Sequence, residues 1–161
     1  MALPDDLAGM ARGVIDANRY MTLGTAEPDG GPRVSPVFFS HAGYRTFYWV
    51  SSPLARHSAN IAARPGVEFV VYDSSVPVGA GRAVYVGATA EEVPAEQLTA
   101  ACDEAFADTA ESGVRQFRPD EVSGDAPLRL YRARPTRYEV HVPGRDPKNE
   151  TGIDTRREIT L

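Results

Sequence analysis

Six or seven short stretches rich in β-branched and aromatic residues follow one another along this chain, and most of the gaps between them are only turns. That order limits the fold more than any single motif. A doubly wound parallel sheet needs helices between most of its strands, and those helices are missing. The expectation is a mainly β protein, a six- to seven-stranded antiparallel β-barrel of Greek-key type with flanking helices. Its clearest unit is a hairpin, "YMTLGTA" and "RVSPVFFS" joined by the turn "EPDGGP". Pro36 cannot donate to a ladder, so the second strand is expected to carry an unpaired or bulged stretch at its middle. "YRTFYWV" is a third strand, and "VEFVVYD" (67–73), almost continuously apolar, an inner one. "RAVYVGATAEEV" follows, and "LRLYRAR" and "TRYEVHV" close the sheet as two strands broken at Pro135.

Helices fit in few places. Residues 5–18 space Leu7, Met10, Ala11, Val14 and Ile15 for one amphipathic face, with Asp5 and Asp6 at the positive end. A second helix starts in the "SSPLARHSANI" stretch, with Leu54, Ser58, Ile61 and Ala62 as its packing face. Another begins with Pro94 in "PAEQLTAACDEAF", and 107–127 reads as a polar helix-and-loop excursion. The 161 residues form one domain over 1–142, followed by a tail at 143–161 that is either loose or an arm.

The formal net charge of −5 argues against nucleic acid or an anionic membrane as the main partner, since both select positive surfaces. The start "MALPDDLAGM" carries acids where a secretory leader has bases, and no apolar run is long enough to span a bilayer. The single Cys102 fits a reducing cytoplasm and the role of a small buried hydrophobe. His41, His57 and His141 lack the spacing of a metal site.

Residues 51–61 carry the chemistry. Ser51 or Ser52 is expected to cap the helix, with Pro53 at its first position. Arg56, one turn in, would lean back over the positive helix end, with His57 beside it and Asn60 a turn further. Fork, ring, hydroxyls and helix end together suit a phosphate; the alternative is a solvated helix start. In the hairpin, alternation puts Arg33, Ser35, Val37 and Phe39 on one face and Val34, Pro36 and Phe38 on the other. Backbone groups left free near Pro36 would reach the polar edge of a ligand ring; the alternative is a plain strand with an exposed arginine. Tyr48 and Trp49 read as core or interface packing.

Taken in order, "MTLGTAEPDGGPRVSPVFFS", "FYWVSSPLARHSANIAARPGVEFVVYD", "RAVYVGATAEEV" and "LRLYRARPTRYEV" resemble the pyridoxamine 5′-phosphate oxidase-like family of flavin-binding split barrels, over 7–142. The resemblance implies a split β-barrel homodimer holding flavin mononucleotide (FMN) in two grooves between protomers. It matches Arg33 to the arginine opening the flavin-contacting strand, with Val34, Ser35, Pro36, Val37 and Phe38 along the ring. Arg56 matches a phosphate-binding arginine, His57 stands where lysine is usual, and Arg82 falls at a flavin-contacting glutamine. Phe38 replaces a lysine of the true oxidases, no tryptophan follows Pro135, and their C-terminal substrate-phosphate clamp has no counterpart. The implied activity is an FMN-dependent oxidoreductase using a small-molecule substrate and a nicotinamide donor. No residue stands out as its general acid or base. Related branches bind the deazaflavin F420 or haem, which leaves a deazaflavin reductase or a non-catalytic cofactor-binding dimer as alternatives.

Overall fold

The computed structural model describes residues 3–107 and 115–161, and its centre is an eight-stranded antiparallel sheet. Along the chain lie α1 (Leu7–Ala17), β1 (Tyr20–Ala26), β2 (Pro32–Phe38), β3 (Ser40–Ala42), β4 (Thr46–Ser51), α2 (Arg56–Ala63) and β5 (Gly66–Tyr72). Then come β6 (Ala83–Glu92), α3 (Leu98–Phe106), β7 (Arg129–Val142) and β8 (Thr155–Ile159). In space the order is β2-β1-β5-β6-β7-β4-β3, with β8 also paired to β7. The sheet curls into a half-barrel. Phe39, just past β2, lies 5.7 Å ring to ring from Phe47 on β4, which sits near the opposite end of the sheet.

Period-2 alternation fills the inside. Met21, Leu23, Phe69, Val71, Val84, Val86 and Val140 all point inward and are buried, each contributing roughly 1.5–3 kcal/mol. Helix α1 closes this core with Ala11 and Ile15, and Asp6 caps it, its Oδ1 accepting from Gly9 N at 2.7 Å. A second cluster lies on the other face of β4 and β7, where Tyr48 and Leu130 meet Leu98, Ala101, Cys102 and Ala105 of α3. Cys102 is a buried free thiol, and burial raises its pKa. Tyr48 and Trp49 are likewise core residues.

Several elements differ from the sequence reading. Ser51 and Ser52 do not cap α2 and Pro53 is not its first residue. The Ser-Pro stretch forms a separate turn, and the helix starts at Arg56 behind Ala55, without a side-chain cap. Leu54 is therefore outside the helix and 93% exposed, and Ala62 is exposed too; Ser58, Asn60 and Ile61 are the buried face. β2 pairs with β1 without interruption at Pro36. Phe39 N donates to Arg19 O in the same register, so alternation makes Pro36–Thr22 a pair without ladder bonds. The missing N–H faces the open edge, where β2 has no second neighbour.

The two closing strands are one 14-residue strand, β7. Pro135 fits because the register with β6 shifts at Gly87/Ala88, while on the other side β4 pairs only to Ala133 and β8 only from Tyr138. β3 and β8, unforeseen, complete the eight strands. β8 comes from the 143–161 segment, whose loop is tied back when Leu3 N donates to Asp146 Oδ2 at 2.5 Å. Within 107–127 a short 3-10 helix covers Pro119–Val122, and residues 108–114 lie outside the described ones.

Candidate functional site

The hairpin turn and α2 build the site together. Residues 27–31 are closed by Gly30 N donating to Glu27 O at 2.9 Å and Glu27 N to Gly31 O at 2.8 Å. Gly30, at φ +85°, takes the left-handed conformation this turn needs. Helix α2 docks on the end of β1: Asn60 Nδ2 donates to Thr25 Oγ1 at 3.1 Å, and Arg64 Nε to Ala26 O at 2.9 Å. Asn60 is thus a buried structural group and does not reach toward an anion.

This docking brings Arg33 and Arg56 to one place. Both Nε groups donate to the Glu27 carboxylate, Arg56 to Oε2 at 2.6 Å and Arg33 to Oε1. The three side chains line a cavity of about 690 Å³ with Pro28, Asp29, Gly31, Pro32 and Val34. Arg33 first, then Arg56, holds the Glu27 carboxyl down at about 2. A carboxylate between two forks has the charge and geometry of one edge of a phosphate.

The other predicted residues are distributed around this pair. His57 is half-buried, and its Nε2 lies 2.8 Å from Ser51 Oγ. Burial, then the charge of Arg33, pushes its pKa below the usual histidine value, so the ring is neutral at neutral pH. Ser52 Oγ accepts from Leu54 N at 3.1 Å, and its carbonyl accepts from Ser58 Oγ at 2.8 Å. On β2, Val34 is 69% exposed, Pro36 is exposed and Ser35 half-buried, whereas Val37 points into the core. The backbone groups of Val34 and Phe38 face the open edge, like the nitrogen of Pro36. Arg82 is not with them. It lines a different cavity of about 700 Å³ beside Tyr85, His141 and Arg145, and donates to Gly81 O at 3.0 Å.

Sequence reasoning missed Glu27. Its only signal was position: an acid at the first loop residue of a hairpin whose second strand opens with arginine. A third cavity, about 410 Å³ and largely apolar, was also unforeseen. Phe38, Trp49, Phe106 and Phe117 line it, with Ser40, whose Oγ is buried without a hydrogen-bond partner.

A curled antiparallel sheet with few helices, and two arginines converging beside an open strand edge, define a split-barrel protein. The sequence model of the pyridoxamine 5'-phosphate oxidase family matches residues 8–141, and the chain belongs to that family. None of the curated proteins matches it. Solved structures share the fold at low identity. A heme-binding protein from Mycobacterium smegmatis is 18% identical with a TM-score of 0.68; the match covers 98% of this chain but 60% of that one. An F420 reductase is 20% identical with a TM-score of 0.58, covering 84% of this chain and 98% of that one. A FAD-binding protein from Mesorhizobium loti is 22% identical with a TM-score of 0.62, covering 83% and 92%. Among the described residues no helix is long and apolar enough to cross a membrane.

Proposed function

We propose that the chain is an FMN-binding oxidoreductase that works as a homodimer on a small-molecule substrate, with a nicotinamide electron donor. The observation that carries this reading is the convergence of Arg33 and Arg56 on one anion in a polar cavity, next to the open edge of β2. Family membership supports it. The residues fit the cofactor: a carboxylate already lies where a terminal phosphate would be held, and the neighbouring edge offers backbone donors and acceptors to a flavin ring.

Arg56 and Arg33 would hold the phosphate, and the first N–H groups of α2, which lack intrahelical acceptors, add partial positive charge. His57 would donate once protonated, which ties phosphate binding to proton uptake. Val34, Ser35 and Pro36 would lie along the ring. Bound flavin supplies hydride transfer, and the protein supplies binding, orientation and a shaped pocket. The apolar cavity by Phe38 and Trp49 suits the apolar body of a substrate.

Dimerisation is supported by the outer face of the sheet. Register places Tyr20, Val34, Pro36, Val70 and Tyr72 together there, with Val34 69%, Tyr20 62% and Tyr72 49% exposed. The test uses Arg56→Ala. It should weaken FMN binding by about 1.5–3 kcal/mol and leave riboflavin, which has no phosphate, nearly unchanged. Equal loss for both ligands would make the contact structural. The split-barrel F420 reductase keeps a deazaflavin reading in view. The absorbance of the purified protein, with mass identification of any released chromophore, separates the two cofactors.

A further inference from the structure

Glu27 occupies the space between Arg33 and Arg56 from the side of the hairpin turn. Its side chain is 15% exposed, against 47% and 57% for the two arginines. The acid is therefore the most enclosed member of the trio, and it removes one unit of charge from a seat built by two cations. We infer that Glu27 is a resident counter-anion that a ligand must displace, so that the seat rewards a phosphomonoester dianion and gives no advantage to a singly charged group. The inference rests on the FMN reading above.

The argument is one of exchange. A singly charged phosphate entering the seat swaps one monoanion for another, and Glu27, tethered by the turn, competes at an effective concentration of mM or more. A dianion brings a second charge to the same two cations, together with further acceptor oxygens.

The surrounding charged groups leave Glu27 as the competitor. Asp29, on the same turn, accepts from Gly31 N at 2.9 Å through Oδ1. Arg64, at the far end of α2, donates to Ala26 O at 2.9 Å. His57, on α2, adds a cation only below its lowered pKa. A phosphomonoester passes from −2 to −1 near pH 6, while the arginines hold the Glu27 carboxyl at about 2. Glu27 therefore stays ionised throughout that change.

The experiment titrates full-length wild type and Glu27→Gln with FMN and with riboflavin, at pH 8 and pH 5, after thermal melts show both proteins folded. At pH 8 the FMN-over-riboflavin affinity ratio is expected to rise about tenfold in the variant. At pH 5, where any charge on His57 is common to both proteins, the ratio in the variant should again exceed the wild-type ratio, by about fivefold or more. His57 is present in both proteins, so the comparison at one pH isolates Glu27. Glu27→Ala provides a second carboxylate-free protein and should behave alike. A ratio at pH 8 that stays unchanged or falls in both variants overturns the inference, because Glu27 would then be a bystander or a prop for the arginines. If Arg56→Ala still removes the FMN preference in that case, the phosphate reading stands without Glu27. If neither Glu27→Gln nor Arg56→Ala alters the ratio, both ideas fall.

Discussion

His57 shows how one side chain's surroundings set its chemistry. Its folded pKa lies below the ordinary histidine value of about 6.5, chiefly through burial, so below about that pH the unfolded chain binds protons that the folded one excludes. Stability contributed by the neutral ring is present above that pH and is lost on acidification. Replacing His57 by asparagine should flatten the decline in melting temperature between pH 7.5 and lower values, which a pH series of thermal melts would reveal. A bound phosphate should act in the opposite sense, favouring the charged ring, so His57→Asn should reduce the proton uptake at FMN binding relative to wild type, read from how the calorimetric heat varies with buffer. Cys102 is the reverse case, a group whose surroundings silence it. The thiol is 4% exposed with a raised pKa, so it should resist Ellman's reagent in the native protein and react on unfolding.

At the scale of elements, tight approaches and edges decide what can change. Gly24 on β1 faces Glu68 of β5, and a Cβ there would come within 2.9 Å of the Glu68 carbonyl oxygen. The oxygen belongs to ladder backbone and cannot swing aside, so Gly24→Ala should cost about 1–3 kcal/mol in a denaturant titration. Leu54→Ala, at a position 93% exposed, should change stability by less than about 0.5 kcal/mol. β8 covers the edge of β7 from Tyr138 to Val142, and Ile159 and Leu161 pack against the core. Truncation after 142 should lower the melting temperature and promote association through the bared edge. A truncated protein with unchanged melting would instead make the tail a separable arm.

Across the whole molecule, the outer face of β2, β1 and β5 presents its apolar side chains as one patch. If that face joins two protomers, Val34→Glu should shift the mass measured by light scattering toward the monomer. Most of the strands along the chain, the hairpin and the α1 stripe were legible in the sequence, because alternation and turn chemistry are local and survive without knowledge of neighbours; the order of the strands across the sheet was not. Arg56 stood out as an anion-ligand candidate and Arg33 only as the residue opening the ring-contacting strand, so nothing local said that the two would meet. Other features depend on which strand or helix lies opposite, and no local pattern encodes that. Pro135 broke a strand on paper, yet the shift against β6 and the gap between β4 and β8 absorb it. Arg82, matched to a flavin-contacting glutamine, lines a different cavity from Arg56 within the chain, which no local pattern shows. The sequence alone settled a curled antiparallel sheet and two cationic candidates, since short-range sterics and side-chain period suffice for that. Only the tertiary structure put Glu27 between the two cations, because the meeting of a turn, a strand and a helix 29 residues away is a matter of long-range docking.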